Sequence, residues 1–280
     1  MSLTDAQWAR IEPLLPDRAP KRGGRWRDHR QVIDAIAFKY RTGTPWTDLP
    51  EHFGSWKGAH NRLRKWAADG TWERVFTALL AQADAEGDLD WVVSVDSTIV
   101  RAHQHAVGPV KRGPGRRAGD HALGRSRGGL TTKIHLAEDS RCRPLAFVLT
   151  PGQAGDAPML PKVMVQLRVP QPTGRPRTTP DVVLADKAYS SRAIRTHLRQ
   201  RGIRTVIPQP SDQAANRKGR GRLGGRPPAF DREAYKQRNT VERCINKLKQ
   251  WRGLATRYDK TATIYLAGLH IAAIFIWSAR

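Results

Sequence analysis

The feature that most constrains this chain is a change of repeat near residue 88. Up to Ala85 the apolar residues recur at helical spacing. After the acidic linker Asp84 to Asp90 comes Trp91-Val92-Val93-Ser94-Val95-Asp96, a short β-branched run. A helix buries a stripe and a strand buries a face, so the two halves call for different layers. The reading is a small all-α part over residues 1–88, helix-turn-helix-like, followed by an α/β part over 89–280.

In the first part, Thr4 is placed to cap a helix carrying Trp8, Ile11, Leu14 and Leu15, which Pro16 ends. A second helix runs from Asp28 through Tyr40 and breaks at Gly43 and Pro45. A third begins near Ser55, with Trp56, Ala59, Leu63, Trp66 and Ala67 on one face. Lys57, Asn61, Arg62 and Lys65 fall on the other. With a short helix at Trp46 to Leu49 and a turn at His52 to Gly54, this order matches a helix-turn-helix whose outward residues reach DNA.

The second part offers further strands at Leu130 to Leu136, Leu145 to Thr150, Val182 to Ala185 and Thr205 to Ile207. Helices are expected at Met159 to Leu167, Ser190 to Arg201 and Arg232 to Trp251. Three strands in succession give an antiparallel meander, and the later alternation with helices adds parallel strands to the same sheet. The expectation is a mixed five-stranded sheet with flanking helices.

A formal charge of +24, spread along the chain, points to a polyanion, and nucleic acid is favoured because phosphate neutralisation releases counterions. Two loops concentrate it: Val110 to Gly129 with Lys111, Arg112, Arg116, Arg117, Arg125 and Arg127, and Ser211 to Pro228 with Arg217, Lys218, Arg220, Arg222 and Arg226. Both are expected to order on DNA. Cys142 and Cys244 make neither a disulfide framework nor a zinc motif. The apolar run Ile264 to Trp277 is short for a membrane span and reads as a buried helix. No leader opens the chain, so a cytoplasmic, nucleoid-associated protein is expected.

The chemistry rests on carboxylates. Asp96 follows one apolar strand and Asp186 follows Val182-Val183-Leu184-Ala185. If the two strands pair in parallel, both acids stand at one sheet end, where at about 4 Å they repel by roughly 4 kcal/mol unless a cation intervenes. Hard oxygen donors select magnesium or manganese. Glu242 is the chosen third ligand, on a helix that also carries Tyr235, Arg238 and Lys249. Asp156 is read as a loop-stabilising decoy, and His103 and His105 as surface or site-adjacent residues.

Tyr235, Arg238, Glu242 and Lys249 resemble the Y-x2-R-x3-E-x6-K signature of bacterial insertion-sequence transposases of the DDE class. The phrases Ser94 to Thr98, Gly124 to Gly129, Pro151 to Asp156 and Ala185 to Tyr189 are similar to the insertion sequence five family. The resemblance implies a ribonuclease-H-like catalytic fold, two metal ions on Asp96, Asp186 and Glu242, and phosphate contacts from Arg238 and Lys249. It also implies a transposase that binds element ends, cleaves and transfers strands, and because two ends must be brought together a homodimer on DNA is expected. Members of that family can carry a large β insertion before the glutamate helix, whereas Pro208 to Phe230 here is a short basic loop, so no insertion domain is expected. A nuclease without strand transfer and an inactive DNA-binding regulator are the alternatives.

Overall fold

The computed structural model describes residues 2–19, 26–107 and 121–279. Lys111, Arg112, Arg116 and Arg117 lie outside the described residues. The chain begins with four helices, α1 (Asp5–Ile11), α2 (His29–Thr42), α3 (Trp56–Ala68) and α4 (Thr71–Ala85). Thr4 caps α1 in a reciprocal capping box with Gln7, and Gly43 closes α2 in the left-handed region that a side chain would resist. The segment between α2 and α3 holds two single 3-10 turns, Trp46–Asp48 and Glu51–Phe53, in place of a regular helix.

The sheet follows as β1 (Val92–Ala102), β2 (Gly124–Ser126), β3 (Gly129–Asp139) and β4 (Pro144–Pro151). Next come α5 (Leu160–Gln166), β5 (Val182–Ala185), α6 (Arg192–Gln200) and β6 (Arg204–Val206). The chain ends in α7 (Ser211–Gly219), α8 (Arg232–Lys236), α9 (Asn239–Lys249), α10 (Arg252–Ala255), β7 (Thr256–Arg257) and α11 (Ala262–Ser278). The order β4-β3-β1-β5-β6 is antiparallel across the first three strands and parallel across the rest. This is the expected ribonuclease-H-like sheet. Two short strands enlarge it to seven among the described residues: β2 on β3, and β7 on the far end of β1.

Three expectations are corrected. β1 does not end at Asp96; Ser97 to Arg101 continue it in register with β3, because that antiparallel neighbour extends well past the last β5 pair, Val95 with Ala185. The helix expected over 232–251 is broken at residues 237–238. There the amides of Arg238, Thr240 and Val241 bond to carbonyls three residues back, and Thr240 Oγ1 donates to the Gln237 carbonyl at 2.8 Å. The basic loop after Pro208 contains α7 and a 3-10 turn at Gly221–Gly224, so it is already folded.

The core is continuous. α11, apolar all round, packs against α1, α3 and α4 on one side and against β4 on the other. Tyr40 on α2 reaches Asp259 Oδ2 at 3.2 Å, and Gly268 of α11 lies so close that an added Cβ would come within 2.7 Å of the Tyr40 ring. The terminal apolar helix is therefore the seam between the helical and sheet layers. No described helix is long and apolar enough to cross a membrane.

Candidate active site

The site begins with the end of the parallel pairing. Val95 lies opposite Ala185, and the next residue on each strand is an aspartate. Asp186 turns out of the sheet and caps the 3-10 turn Lys187–Tyr189, its Oδ1 accepting from the Ala188 amide at 2.7 Å. Asp96 stays in β1, where its Oδ1 accepts from the Ser97 amide at 2.7 Å. Burial pushes the Asp96 carboxyl above its ordinary value. The Ser97 amide and Arg238 pull it down, while the negative fields of Asp186 and Glu242 push it up.

The third carboxylate arrives on α9. Val241, Cys244, Ile245 and Leu248, at helical spacing, bury one face against β1 and β3. Glu242 sits beside that face near the helix N-terminus, where the positive end of the dipole favours an acid. This placement corrects the mid-helix position expected from sequence. Arg238, in the turn before α9, joins the parts. Its Nη2 donates to Asp96 Oδ2 at 2.7 Å and its Nη1 to Glu242 Oε1 at 3.1 Å. Asp96 has 20% of its side chain exposed and Glu242 54%, so the bridge opens towards solvent on the glutamate side.

The other signature residues are close by. Lys249 Nζ lies 3.5 Å from the Ile99 carbonyl, three residues beyond Asp96 on β1. Tyr235 is half-buried against Phe230, ring centroids 5.2 Å apart. Burial raises its phenol, which also feels Arg238, Asp186, Asp96 and Glu242.

The residues suit a hard divalent cation by donor type: all are carboxylate oxygens, and the position between Asp96 and Glu242 is taken by the cationic guanidinium of Arg238. Among the described residues, no three His, Cys, Asp or Glu side chains close on a single point to form a finished metal nest. A cation here must therefore be completed by ligands from another molecule, or by displacement of Arg238.

A supporting cluster lies on the neighbouring strands, and sequence reasoning undervalued it. Asp156 Oδ1 accepts from Ser97 Oγ at 2.6 Å and from Lys133 Nζ at 2.9 Å, and Lys133 also donates to the Ala154 carbonyl at 2.7 Å. Burial opposes ionisation of Asp156, yet those donors hold its carboxyl below the ordinary range. Asp156 thus ties the loop to the residue after Asp96, in keeping with a loop-stabilising role. The phrase Pro151 to Asp156 carried the signal. Its Gly152 runs so close to β3 that a Cβ would fall 1.8 Å from Thr131 Oγ1. Tyr189 is buried, and its phenol is raised by that burial and further by the field of Asp156, Asp96 and Asp186.

On α3 the outcome is divided. Lys57, Asn61 and Lys65 are exposed. Arg62 is not on the outward face; it is buried, its Nη1 is 2.7 Å from His29 Nδ1, and its guanidinium lies 4.3 Å and 4.9 Å from the Trp26 and Trp66 rings. The indole faces stabilise the cation and draw it inward. The His103 ring meets His105 edge-on at 4.6 Å and lies tilted against Tyr258 at 5.0 Å.

A family model described as a transposase DDE domain matches residues 87–277. The chain belongs to the DDE-domain transposases. A second model, a putative transposase of the IS4/5 family, matches residues 3–76. An uncharacterised protein of Sinorhizobium fredii is 38% identical over 114 residues, 41% of this chain and 87% of the relative. A putative transposase for insertion sequence element IS6501 of Brucella ovis is 29% identical over 153 residues, 53% of this chain and 98% of the relative. A putative transposase for insertion sequence element IS402 of Burkholderia cepacia is 29% identical over 161 residues, 57% and 68%. The transposase acts on DNA and depends on a divalent cation.

Proposed function

We propose that Asp96, Asp186 and Glu242 are the catalytic carboxylates and that they hold two magnesium or manganese ions for cleavage at the element's ends and strand transfer to target DNA. The observation that carries this reading is Arg238 bridging Asp96 and Glu242. Carboxylates from β1 and α9, far apart in sequence, are bridged by one guanidinium, and Asp186 directly follows Ala185, the parallel-strand partner of Val95.

Bound metal would supply charge neutralisation at the scissile phosphate and activation of a water or a DNA 3′ hydroxyl. The side chains do the rest. Asp96 is positioned by the Ser97 amide and Asp186 by its capping bond, each through its Oδ1. When Asp96 and Glu242 take metal, Arg238 is free to turn its fork to a DNA phosphate, and Lys249 offers a point charge one side of the same strand. Tyr235 would face the nucleotide next to the reacting bond. Lys57, Asn61 and Lys65 form the recognition face of residues 1–88, and residues 89–280 carry the chemistry. Two element ends must be cut together, which calls for a homodimer on DNA. Arg62 belongs to this proposal only as the brace beneath α3.

The test is incubation of the full-length protein with magnesium and a duplex carrying the sequence that flanks its gene, resolved on a denaturing gel. Asp96→Ala, Asp186→Ala and Glu242→Ala should each lower cleavage by on the order of 10³-fold or more while the duplex is still retained. Undiminished cleavage by any one removes that residue from the site. Lys57→Ala with Asn61→Ala should weaken preference for the flanking sequence over unrelated DNA; equal preference would return α3 to a structural role.

A further inference from the structure

The segment between β6 and α8 is a self-supporting projection. α7 and the following 3-10 turn contain no buried residue. They are nevertheless folded against each other: Gly224 lies so close to α7 that a Cβ there would stand 1.9 Å from the Arg217 carbonyl oxygen. Nine residues of α7 give the projection a length of about 13 Å. Its two roots are both at the site. Ser190 Oγ, just past the turn that Asp186 caps, donates to Gln213 Oε1 at 3.0 Å, and on the return Phe230 packs against Tyr235.

Its chemistry is one-sided. Arg217, Lys218, Arg220, Arg222 and Arg226 face a single acid, Asp212, and none of the five is in an ion pair among the described residues. At the tip stands Leu223, 92% exposed and directly after Arg222. An isolated leucine among unpaired arginines gains nothing from water or from the protein's own core. It matches the apolar wedges that enter a base step while neighbouring cations hold the phosphates.

We propose that residues 211–226 are a DNA-engaging arm whose Leu223 inserts between stacked bases of the duplex. The occupant is duplex DNA, selected by charge complementarity. The proposal rests on the transposase acting on DNA, but not on which residues cut it.

The experiment uses full-length protein and a duplex of the gene-flanking sequence in which 2-aminopurine replaces one adenine at a time. Binding should raise the fluorescence severalfold at one or two adjacent positions, since an unstacked 2-aminopurine is bright. Leu223→Ala should abolish that rise while the duplex is retained within about threefold, and Leu223→Phe should preserve it. Arg220→Ala with Arg222→Ala should lower affinity and reduce the slope of log affinity against log salt by about two. A rise that survives Leu223→Ala, no rise at any position, or no retention by the unaltered protein would overturn the proposal. So would a change in the DNA-free oligomeric state on Leu223→Ala, which would make the leucine a subunit contact. The same rise in Asp96→Ala and in Asp186→Ala protein that still cuts would separate the arm from the catalytic assignment: the arm would stand and the assignment would fall.

Discussion

Arg238 and Arg62 are both largely withdrawn from water, in opposite company. Arg238 lies between two carboxylates, on a surface that opens outward at Glu242. Arg62 is in no ion pair among the described residues; an imidazole nitrogen and two indole faces lie against it. The first cation balances charges that another cation could balance instead, so it is replaceable by design of the site. The second completes a packed cluster with His29, Trp26 and Trp66. The same side chain is a working part in one layer and a brace in the other, and the difference lies in what surrounds it.

That contrast breaks most sharply under truncation. Removing residues 1–88 strips α11 of its partners on α1, α3 and α4, so the remaining chain should fail to fold instead of merely losing selectivity. A cooperative thermal transition in the truncated protein would show that the two layers are independent. Next in size, Arg238→Ala should cut activity by roughly 10²-fold with little loss of stability. Arg62→Ala should do the reverse, costing about 2–3 kcal/mol by leaving His29 Nδ1 unpartnered and emptying the space between the tryptophans. Thermal melts and cleavage assays on both variants decide it; matching profiles would erase the distinction.

The sheet layer should also show a pH signature. Burial lowers His135 to about 4, against about 6.5 in an unfolded chain. The unfolded state then binds the extra proton, so stability is complete above about 6.5 and falls as pH drops towards 4, by up to about 3 kcal/mol. Glu138 works in the other direction. Burial, partly offset by the Thr240 hydroxyl at 2.6 Å, pushes it up to about 8. Its stabilising protonated form is therefore lost to the unfolded state as pH rises from about 4.5 to 8. Glu138→Gln should raise the melting temperature at pH 8 and leave it unchanged below pH 4.5, and His135→Gln should flatten the acid limb. The smallest effect is expected at the seam: Tyr40→Phe, losing the bond to Asp259, should cost about 1 kcal/mol.

Much of the candidate site was legible because local rules carry it. The β-branched runs before Asp96 and Asp186 form strands once buried, and the Tyr-Arg-Glu-Lys spacing keeps four groups close along the chain even though the helix breaks between Tyr235 and Glu242. Other features were not legible. The break before α9 has no Pro or Gly to announce it, and Thr240 there meets Glu138 from more than a hundred residues earlier. The support of Ser97 by Asp156 needs β4 brought beside β3.

The sequence by itself determined the change of layer near residue 88, the helical stripes, the strands that lead to the aspartates and the excess of basic charge. These depend on periodicity and composition, which act within a few residues. Only the tertiary structure decided that Arg238 joins Asp96 to Glu242, that Arg62 turns inward, and that α11 fuses the helical and sheet layers. Each outcome balances desolvation against partners brought in by distant segments, and helical spacing alone cannot say which partner a charged side chain will meet.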